Sequence, residues 1–186
     1  MAYVLFISEQ KLKDSTAING NVSSEFLLPF LKQAQKLYVK TKLGTDLYEK
    51  LQADITANTL TGAYQTLVDD YIAEMLPNFA LYHAIPYLRF KIENGNIYSK
   101  TSETGVALST EEAQHLREEV KNTGEYFMER MIDYIKNNIS SFPEYSTNSG
   151  ADVTPDQNAY YAGMNLERPN NQCGEMTLRS FLTPDI

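Results

Sequence analysis

The sequence has no tryptophan, one cysteine and two histidines, and these shortages exclude several kinds of site. Cys173 alone can form neither an intramolecular disulfide nor a zinc cluster, and no neighbouring base favours it as a nucleophile. His83 and His115 lack an HxxxH or HExxH partner. Phosphate-binding loops of the GxxxxGK(S/T) and GxGxxG types are missing too. We therefore predict no catalytic, cofactor-binding or metal-binding residues, and we expect that the protein is not an enzyme.

Clusters of basic residues and long apolar runs are also missing. The formal net charge is −8, which disfavours holding nucleic acid by its phosphates but is compatible with lining a passage for it. The longest nearly apolar run, about residues 75 to 85, is interrupted by Pro77, Asn78 and His83 and is too short to span a membrane. Because no early segment resembles a secretory signal, we expect a soluble protein of intracellular origin.

What the sequence does contain is a long helical pattern between residues 61 and 92. Side chains that fall on one helical face recur at the spacing i, i+3/i+4, i+7: Leu67, Val68, Tyr71, Ile72, Met75, Leu76, Phe79, Ala80 and His83. Beyond Pro77 the opposite face is apolar as well, which predicts a helix in the middle of a bundle, with His83 as a hydrogen-bonded core histidine. Since Pro77 and Pro86 each lack a backbone donor, we expect a kink or a break at both.

Two further helices are predicted before this central element. Ser23 or Ser24 is a suitable N-cap for the first, whose apolar positions include Leu37. It is expected to end before Leu43-Gly44-Thr45, where Gly44 suits a left-handed C-terminal position. Thr45 is then the expected N-cap of a second helix that reaches about residue 57.

A polar, glycine-containing connector, residues 93 to 108, follows the central element. Within it the sequence predicts a small β-hairpin that pairs residues 97–99 with residues 106–108. Ser109 and Glu112 then form a capping box, which predicts the start of a helix that extends to about residue 138. We expect the inner face of this helix to begin at Leu116 and end at Ile139.

The segment from 146 to 186 differs in character, because it is rich in Asn, Gly, Pro, Ser and Thr and its apolar residues have no period. We interpret it as an arm that becomes ordered against neighbouring subunits, and the alternative is an inert flexible terminus. Tyrosine is frequent, at 13 residues, and it favours interfaces, although many tyrosines could simply fill the edge of the core. The predicted interface residues are Tyr98, Val106, Tyr160, Tyr161, Met164, Leu166, Phe181 and Leu182.

These observations predict a mainly α fold. We expect a helical bundle of four to five helices in residues 1–145, with a small loop or β-hairpin. Residues 146–186 would form a long, extended C-terminal arm. The apolar helical faces of the first region are sufficient for a core of their own.

Short segments between about residues 4 and 145 occur in the same order and at similar spacing as in a known group of proteins. In chain order they are Ile7-Ser8-Glu9, Leu12-Lys13, Leu43-Gly44-Thr45, Leu47-Tyr48-Glu49-Lys50-Leu51, Leu67, Asp69-Asp70-Tyr71-Ile72, Pro77, Ile85-Pro86-Tyr87-Leu88, Lys91-Ile92, Met131-Ile132-Asp133-Tyr134 and Ser141-Phe142-Pro143-Glu144-Tyr145. Together they resemble the head–tail connector proteins (adaptor or head-completion proteins) of tailed bacteriophages, particularly phages of gut Bacteroidales, including crAss-like phages.

The resemblance implies a structural virion protein that assembles as a ring, usually twelvefold, between the portal protein and the tail. Such a ring continues the DNA channel without sequence-specific binding and docks the next tail or ring protein. The implied location is the head–tail junction of the virion, after assembly in the bacterial host cytoplasm, with no membrane partner. The alternative hypothesis is a helical oligomeric interaction or regulatory protein of the host cytoplasm, and an enzyme is the third.

Overall fold

The computed structural model describes residues 4–18, 22–93, 96–99, 109–147, 149–150 and 152–156, with backbone only for residues 89–93 and 96–99. Within these ranges the chain is a mainly α-helical bundle, as the sequence predicts. The helices are α1 (Glu9–Asp14), α2 (Ser24–Ala34), α3 (Thr41–Ala57), α4 (Gly62–Thr66), α5 (Ala73–Arg89), α6 (Thr110–Asn137) and α7 (Pro143–Ser146). Two π-helical turns, Gln35–Lys40 and Leu67–Ile72, join α2 to α3 and α4 to α5, and a 3-10 turn spans Ile139–Ser141.

Helix α5 and the π-helical turn before it form the centre of the bundle, as predicted. Both α2 and α6 pack against α5. Most side chains on its helical stripe are buried, and Ile72, Met75, Leu76 and Phe79 have no exposed surface. None of the described helices is long and apolar enough to cross a membrane.

Of the kink or break predicted at each of the two prolines, the break is wrong at both. Helix α5 runs through both Pro77 and Pro86 and ends at Arg89, where the first strand begins. A proline inside a helix costs roughly 3 kcal/mol because it removes a hydrogen bond and crowds the preceding turn. Here the helix is held on two sides by α2 and α6, and this packing outweighs the cost.

Gly44 interrupts α3 between its first residues and the rest of the helix, so the predicted boundary is confirmed, but the conformation of Gly44 differs from the expected one. Gly44 has φ 76° and ψ 167°, a combination outside the left-handed helical region that is essentially restricted to glycine. A Cβ atom at this position would lie 2.7 Å from the ring of Pro155. Glycine is therefore required here both by the backbone and by a close contact.

The capping box at the start of α6 is confirmed. The Ser109 hydroxyl accepts from the Glu112 amide at 3.1 Å, and the Glu112 carboxylate accepts from the Ser109 amide at 2.8 Å. The predicted inner face is wrong at both ends, since Leu116 is 48% exposed and Ile139 is 42% exposed. Arg117 is the residue that contacts α5, so Leu116 projects about 100° away from it. Ile139 lies beyond the end of the helix, where the helical register no longer applies.

The described part of the chain contains one small β-hairpin, which lies just before the position of the predicted one. Strands β1 (Phe90–Glu93) and β2 (Asn96–Ser99) are antiparallel, with Phe90 opposite Ser99 and Glu93 opposite Asn96. Residues 97–99 are thus in a strand that pairs with the end of the central element, and the structure does not test their predicted pairing with residues 106–108. The latter lie outside the described residues.

A buried glutamine fixes the N-terminal segment to the helices. The Gln35 side chain has no exposed surface. Its Oε1 accepts from the Phe6 amide at 3.2 Å, and its Nε2 donates to the Val4 carbonyl and to the Tyr48 hydroxyl, both at 2.9 Å. A buried amide costs little when its donors and acceptor are all paired, and this one connects three parts of the chain.

Candidate interaction surfaces

The two histidines occupy structural positions. The Tyr38 hydroxyl oxygen lies 3.1 Å from His83 Nε2, which confirms the predicted hydrogen-bonded histidine at the edge of the core. Burial, and secondarily the nearby Arg117 guanidinium, lower the pKa of His83. His115 is in the exposed first turns of α6, 4.0 Å from the Glu119 carboxylate. In the part of the chain that the structure describes, no three His, Cys, Asp or Glu side chains are grouped to hold a metal ion.

The start of the predicted arm is packed on the body of the same chain. We call residues 149–156, of which residue 151 is not described, the strap. In a continuous helix the Thr45 amide would donate to the Thr41 carbonyl. The break at Gly44 prevents this hydrogen bond. Thr45 instead donates to the Val153 carbonyl at 2.9 Å, and Thr41 accepts from the Asp156 amide at 3.1 Å. The strap therefore satisfies two of the backbone groups that the break exposes.

Side chains add a second set of contacts between the strap and the region around Gly44. The Val153 amide donates to Thr45 Oγ1 at 3.0 Å, so the Thr45 hydroxyl binds the strap. The Lys42 ammonium, only 6% exposed, lies 2.8 Å from the Asp156 carboxylate, and Lys40 pairs with Asp152. The strap therefore runs along the body from Asp46 toward the start of α3.

Asp46 anchors the first residue of the strap. Its carboxylate accepts from the Ser149 amide at 2.9 Å and from the Ser149 hydroxyl. These two hydrogen bonds hold the pKa of Asp46 below its ordinary value of 3.8, and the bond from the Ser149 side chain has the larger effect. The contribution of this contact to the stability of the fold is therefore complete above the unfolded-state pKa of Asp46. It is lost as the pH falls through the folded-state pKa.

We expect the Ser149 amide proton, followed by NMR between pH 7 and pH 2, to titrate with a midpoint below 3.8. Asp46→Asn is the matched control, because the amide oxygen still accepts but does not titrate, while Asp152 and Asp156 remain. The Ser149 transition should disappear in this variant. A midpoint at or above the ordinary value, or an unchanged transition in Asp46→Asn, would contradict the assignment.

One face of α6 is exposed along most of its length. It bears residues that succeed one another at helical spacing, Glu112, Leu116, Glu119, Thr123, Tyr126 and Arg130, and we call it the α6 stripe. Leu116 and Tyr126 are 48% and 55% exposed. The stripe thus combines acidic residues with two exposed apolar side chains.

A second exposed surface lies where α2 enters its π-helical turn. Lys32, Gln33, Lys36 and Leu37 line a shallow groove of about 420 Å³, mostly apolar in lining, and we call it the Leu37 face. The sequence pattern placed Leu37 with the inward residues of α2. In the structure the Leu37 side chain is 49% exposed, while Gln35 and Val39 are fully buried. The wide π-helical turn changes the angular register after Ala34, and no periodicity argument based on 3.6 residues per turn anticipates this change.

The predicted interface residues fall almost entirely outside the described residues. Tyr98 lies in β2, where only the backbone is described. The others are all outside the described ranges: Val106, Tyr160, Tyr161, Met164, Leu166, Phe181 and Leu182. Sequence reasoning missed the strap, the α6 stripe and the Leu37 face. The Gly44 break was the one available signal for the strap, since a helix break exposes backbone groups that need partners.

Comparison with known proteins gives one positive result. No curated protein and no solved structure matches the chain. A model of a family of unknown function, DUF6712, matches residues 39–155, which is more than half of the chain. The matched region begins just before the helix break and ends within the strap, so it includes both sides of that contact. The chain therefore belongs to the DUF6712 family, a family of unknown function.

Proposed function

We propose that this protein is a structural subunit of a tailed-bacteriophage virion that forms a ring between the portal protein and the tail. The ring would continue the DNA channel and dock the next tail or ring protein. The resemblance described in the sequence analysis implies twelve subunits. It would assemble in the bacterial host cytoplasm and remain at the head–tail junction of the virion. Neither catalysis nor a cofactor nor a membrane has a part in this function.

The observation that carries the proposal is that the body has two different exposed surfaces on helices packed against opposite sides of α5. Phe79 of α5 stacks on Tyr38, which belongs to the turn after α2, and its ring also contacts Gly124 of α6. The Leu37 face and the α6 stripe are therefore on separate sides of one compact core. A closed ring has heterologous interfaces, in which two different surfaces of each subunit contact its two neighbours.

The charge of the chain supports passage of DNA without binding. With a formal net charge of −8 on each subunit, we expect some of the excess acid to form the wall of the channel. Such a wall repels the phosphates weakly and offers few cations to replace their counterions. DNA would then slide through the channel and not adhere to it.

The direct test is the mass of the purified full-length protein by native mass spectrometry, alone and after mixing with the portal protein of the same phage. We expect a closed ring of high order, most simply twelvefold, that attaches to the portal and has an axial channel in negative-stain micrographs. The ring should not retain DNA of any sequence at physiological salt.

A protein that remains a monomer, or that stops at a dimer under both conditions, would overturn the ring proposal. A stable dimer with no affinity for portal would favour the alternative, a helical oligomeric interaction or regulatory protein. Retention of DNA by the assembled ring would contradict the channel role while leaving the stoichiometry intact.

A further inference from the structure

The sequence at the end of the strap occurs a second time near the end of the chain. Residues 153–156 are Val-Thr-Pro-Asp and residues 182–185 are Leu-Thr-Pro-Asp, so an apolar residue precedes Thr-Pro-Asp in both. With 7 prolines in 186 residues, a second Thr-Pro-Asp is not expected by chance. We call residues 182–185 the C-terminal repeat, and we call the part of the body that binds residues 153–156 the strap site. The C-terminal repeat lies outside the described residues.

The strap site contacts the apolar residue and the proline that the two sequences share in type. The Val153 carbonyl accepts from the Thr45 amide at 2.9 Å, and the Val153 amide donates to Thr45 Oγ1 at 3.0 Å. Because both contacts use the backbone of Val153, they do not distinguish Val from Leu. The ring of Pro155 lies against Gly44, where a Cβ would be only 2.7 Å away, so the proline fits the space that a glycine leaves.

The aspartate makes the charged contact with the strap site. The Asp156 carboxylate lies 2.8 Å from Lys42 Nζ, and the Lys42 side chain is only 6% exposed. The Asp156 amide donates to the Thr41 carbonyl at 3.1 Å. Thr154 is exposed, and a β-branched residue that precedes proline favours extended backbone. The site therefore suits an extended segment that carries a proline and then an aspartate, and the C-terminal repeat has each of these features.

The strap also makes two contacts outside the shared sequence. As described above, the Ser149 hydroxyl donates to a body carboxylate and Asp152 pairs with a body lysine. The equivalent residues before the C-terminal repeat are Leu178 and Phe181, which have neither a hydroxyl nor a carboxylate. In an isolated subunit the strap is therefore the better ligand. The advantage is modest, because exposed ion pairs contribute little to binding.

The length of the intervening chain favours the strap as well. Helix α7 ends only two residues before the strap begins, whereas residues 157–181 separate the strap from the C-terminal repeat. Since the entropic cost of closing a loop rises with its length, a subunit gains nothing by exchanging its strap for its own repeat. The repeat of a neighbouring subunit gains a link between subunits, and a ring holds neighbours at a high effective concentration.

We propose that the strap site is a docking site for the C-terminal repeat of a neighbouring subunit. The strap fills the site in the isolated subunit. In the ring, residues 182–185 of the neighbour replace residues 153–156, with Pro184 against Gly44 and Asp185 beside Lys42. The inference rests on the proposed ring function and identifies one contact between its subunits. The strap thereby covers the docking site until neighbours are close, which limits association of free subunits through their C-terminal ends.

Recognition of the repeat is measured by fluorescence polarisation with a labelled peptide of residues 178–186 and the full-length protein. The variant Asp156→Lys releases the strap, because the new side chain opposes Lys42. We expect this variant to bind the peptide at least about tenfold more tightly than the unaltered protein, in which the strap competes. The gain should disappear when the peptide carries Asp185→Lys, since two lysines then oppose each other at the site.

Two controls test whether the peptide is recognised by its sequence and at this site. Glu129→Lys makes a similar change of charge at an exposed residue of α6, a helix that contributes nothing to the strap site, and it should bind the peptide like the unaltered protein. A peptide with Thr183 and Pro184 exchanged keeps its composition and charge but moves the proline away from Gly44. It should show no gain with Asp156→Lys. Circular dichroism verifies that both protein variants are folded.

Carbodiimide coupling identifies the occupant of the strap site in the unaltered protein, because it joins a lysine to a carboxylate in direct contact with it. Unlabelled and isotopically labelled subunits are mixed in equal amounts before assembly, then coupled, digested and analysed by mass spectrometry. In the isolated subunit we expect Lys42 to couple to Asp156. In the ring we expect it to couple to Asp185, with half of these pairs joining an unlabelled to a labelled peptide.

The outcomes separate this inference from the ring function. If rings form and Lys42 couples to Asp156 alone, the exchange is wrong and the ring stands. Coupling of Lys42 to Asp185 only between peptides of the same label would place the repeat on its own subunit and overturn the docking between neighbours. A peptide that gains no affinity for folded Asp156→Lys would show that the site does not recognise the repeat. If the peptide binds as expected but the protein never forms a ring, recognition of the repeat is supported and the ring function is overturned.

Discussion

Replacing Phe79 by alanine is expected to lower the free energy of unfolding by about 3–5 kcal/mol. The side chain has no exposed surface and stacks on Tyr38 with a centroid separation of 3.7 Å and an angle of 10° between the rings. On its other side the ring lies 3.1–3.2 Å from the position that a Cβ of Gly124 would occupy, so α6 approaches closely at a residue without a side chain. Truncation would leave a cavity between three helical segments that cannot easily collapse.

Urea denaturation followed by circular dichroism measures this effect. Ile139→Ala is the control, since Ile139 is an apolar residue that is 42% exposed and lies outside both exposed surfaces, and its loss should change the free energy of unfolding by no more than about 0.5 kcal/mol. If Phe79→Ala falls within the range of this control, α5 is not the centre of the bundle. The denaturation must be compared at one protein concentration, because assembly also stabilises the folded state.

Replacing Gly44 by alanine is expected to detach the strap and to destabilise the fold. The backbone conformation of Gly44 is essentially restricted to glycine, which alone costs about 1–3 kcal/mol for any other residue. In addition, the new Cβ would lie 2.7 Å from Cγ and Cδ of Pro155, a distance that forces the strap to move. The Thr45 and Asp156 amides, which pair across this contact, should then lose protection from hydrogen exchange.

Two other glycines separate backbone strain from the contact with the strap. Gly62 and Gly150 also have positive φ, 60° and 78°, but a Cβ at either would meet nothing within 4 Å. Gly62→Ala and Gly150→Ala should therefore carry the backbone cost while leaving the amide protection of Thr45 in place. Equal loss of protection in all three variants would show that strain, and not the contact with Pro155, accounts for the result in Gly44→Ala.

The strap changes how the C-terminal arm should be divided. The sequence placed the boundary at residue 146, where helical periodicity ends, and assigned the whole arm to neighbouring subunits. The contacts of Ser149, Val153, Pro155 and Asp156 instead attach the start of the arm to its own body. A truncation intended to test assembly without disturbing the fold should consequently end after Asp156.

Local features of the sequence determined the parts of this structure that depend on neighbouring residues. The capping box of Ser109 and Glu112, the break at Gly44 and the apolar stripe from Leu67 to Phe79 were all predictable. Each depends on interactions within one or two helical turns, or on a backbone conformation that a single residue type can adopt. The mainly α class of the fold follows from the same periodicity.

Contacts distant in sequence decided the rest, and the sequence has no local signal for them. Helix α5 continues through Pro77 and Pro86 because packing on both sides outweighs the lost hydrogen bonds. A π-helical turn exposes Leu37 and buries Gln35, whose amide finds its partners in the N-terminal segment and in α3. The strap pairs with Thr41 and Thr45 over more than a hundred residues of sequence. The residues for these contacts are all present in the sequence, but only the folded bundle brings them together.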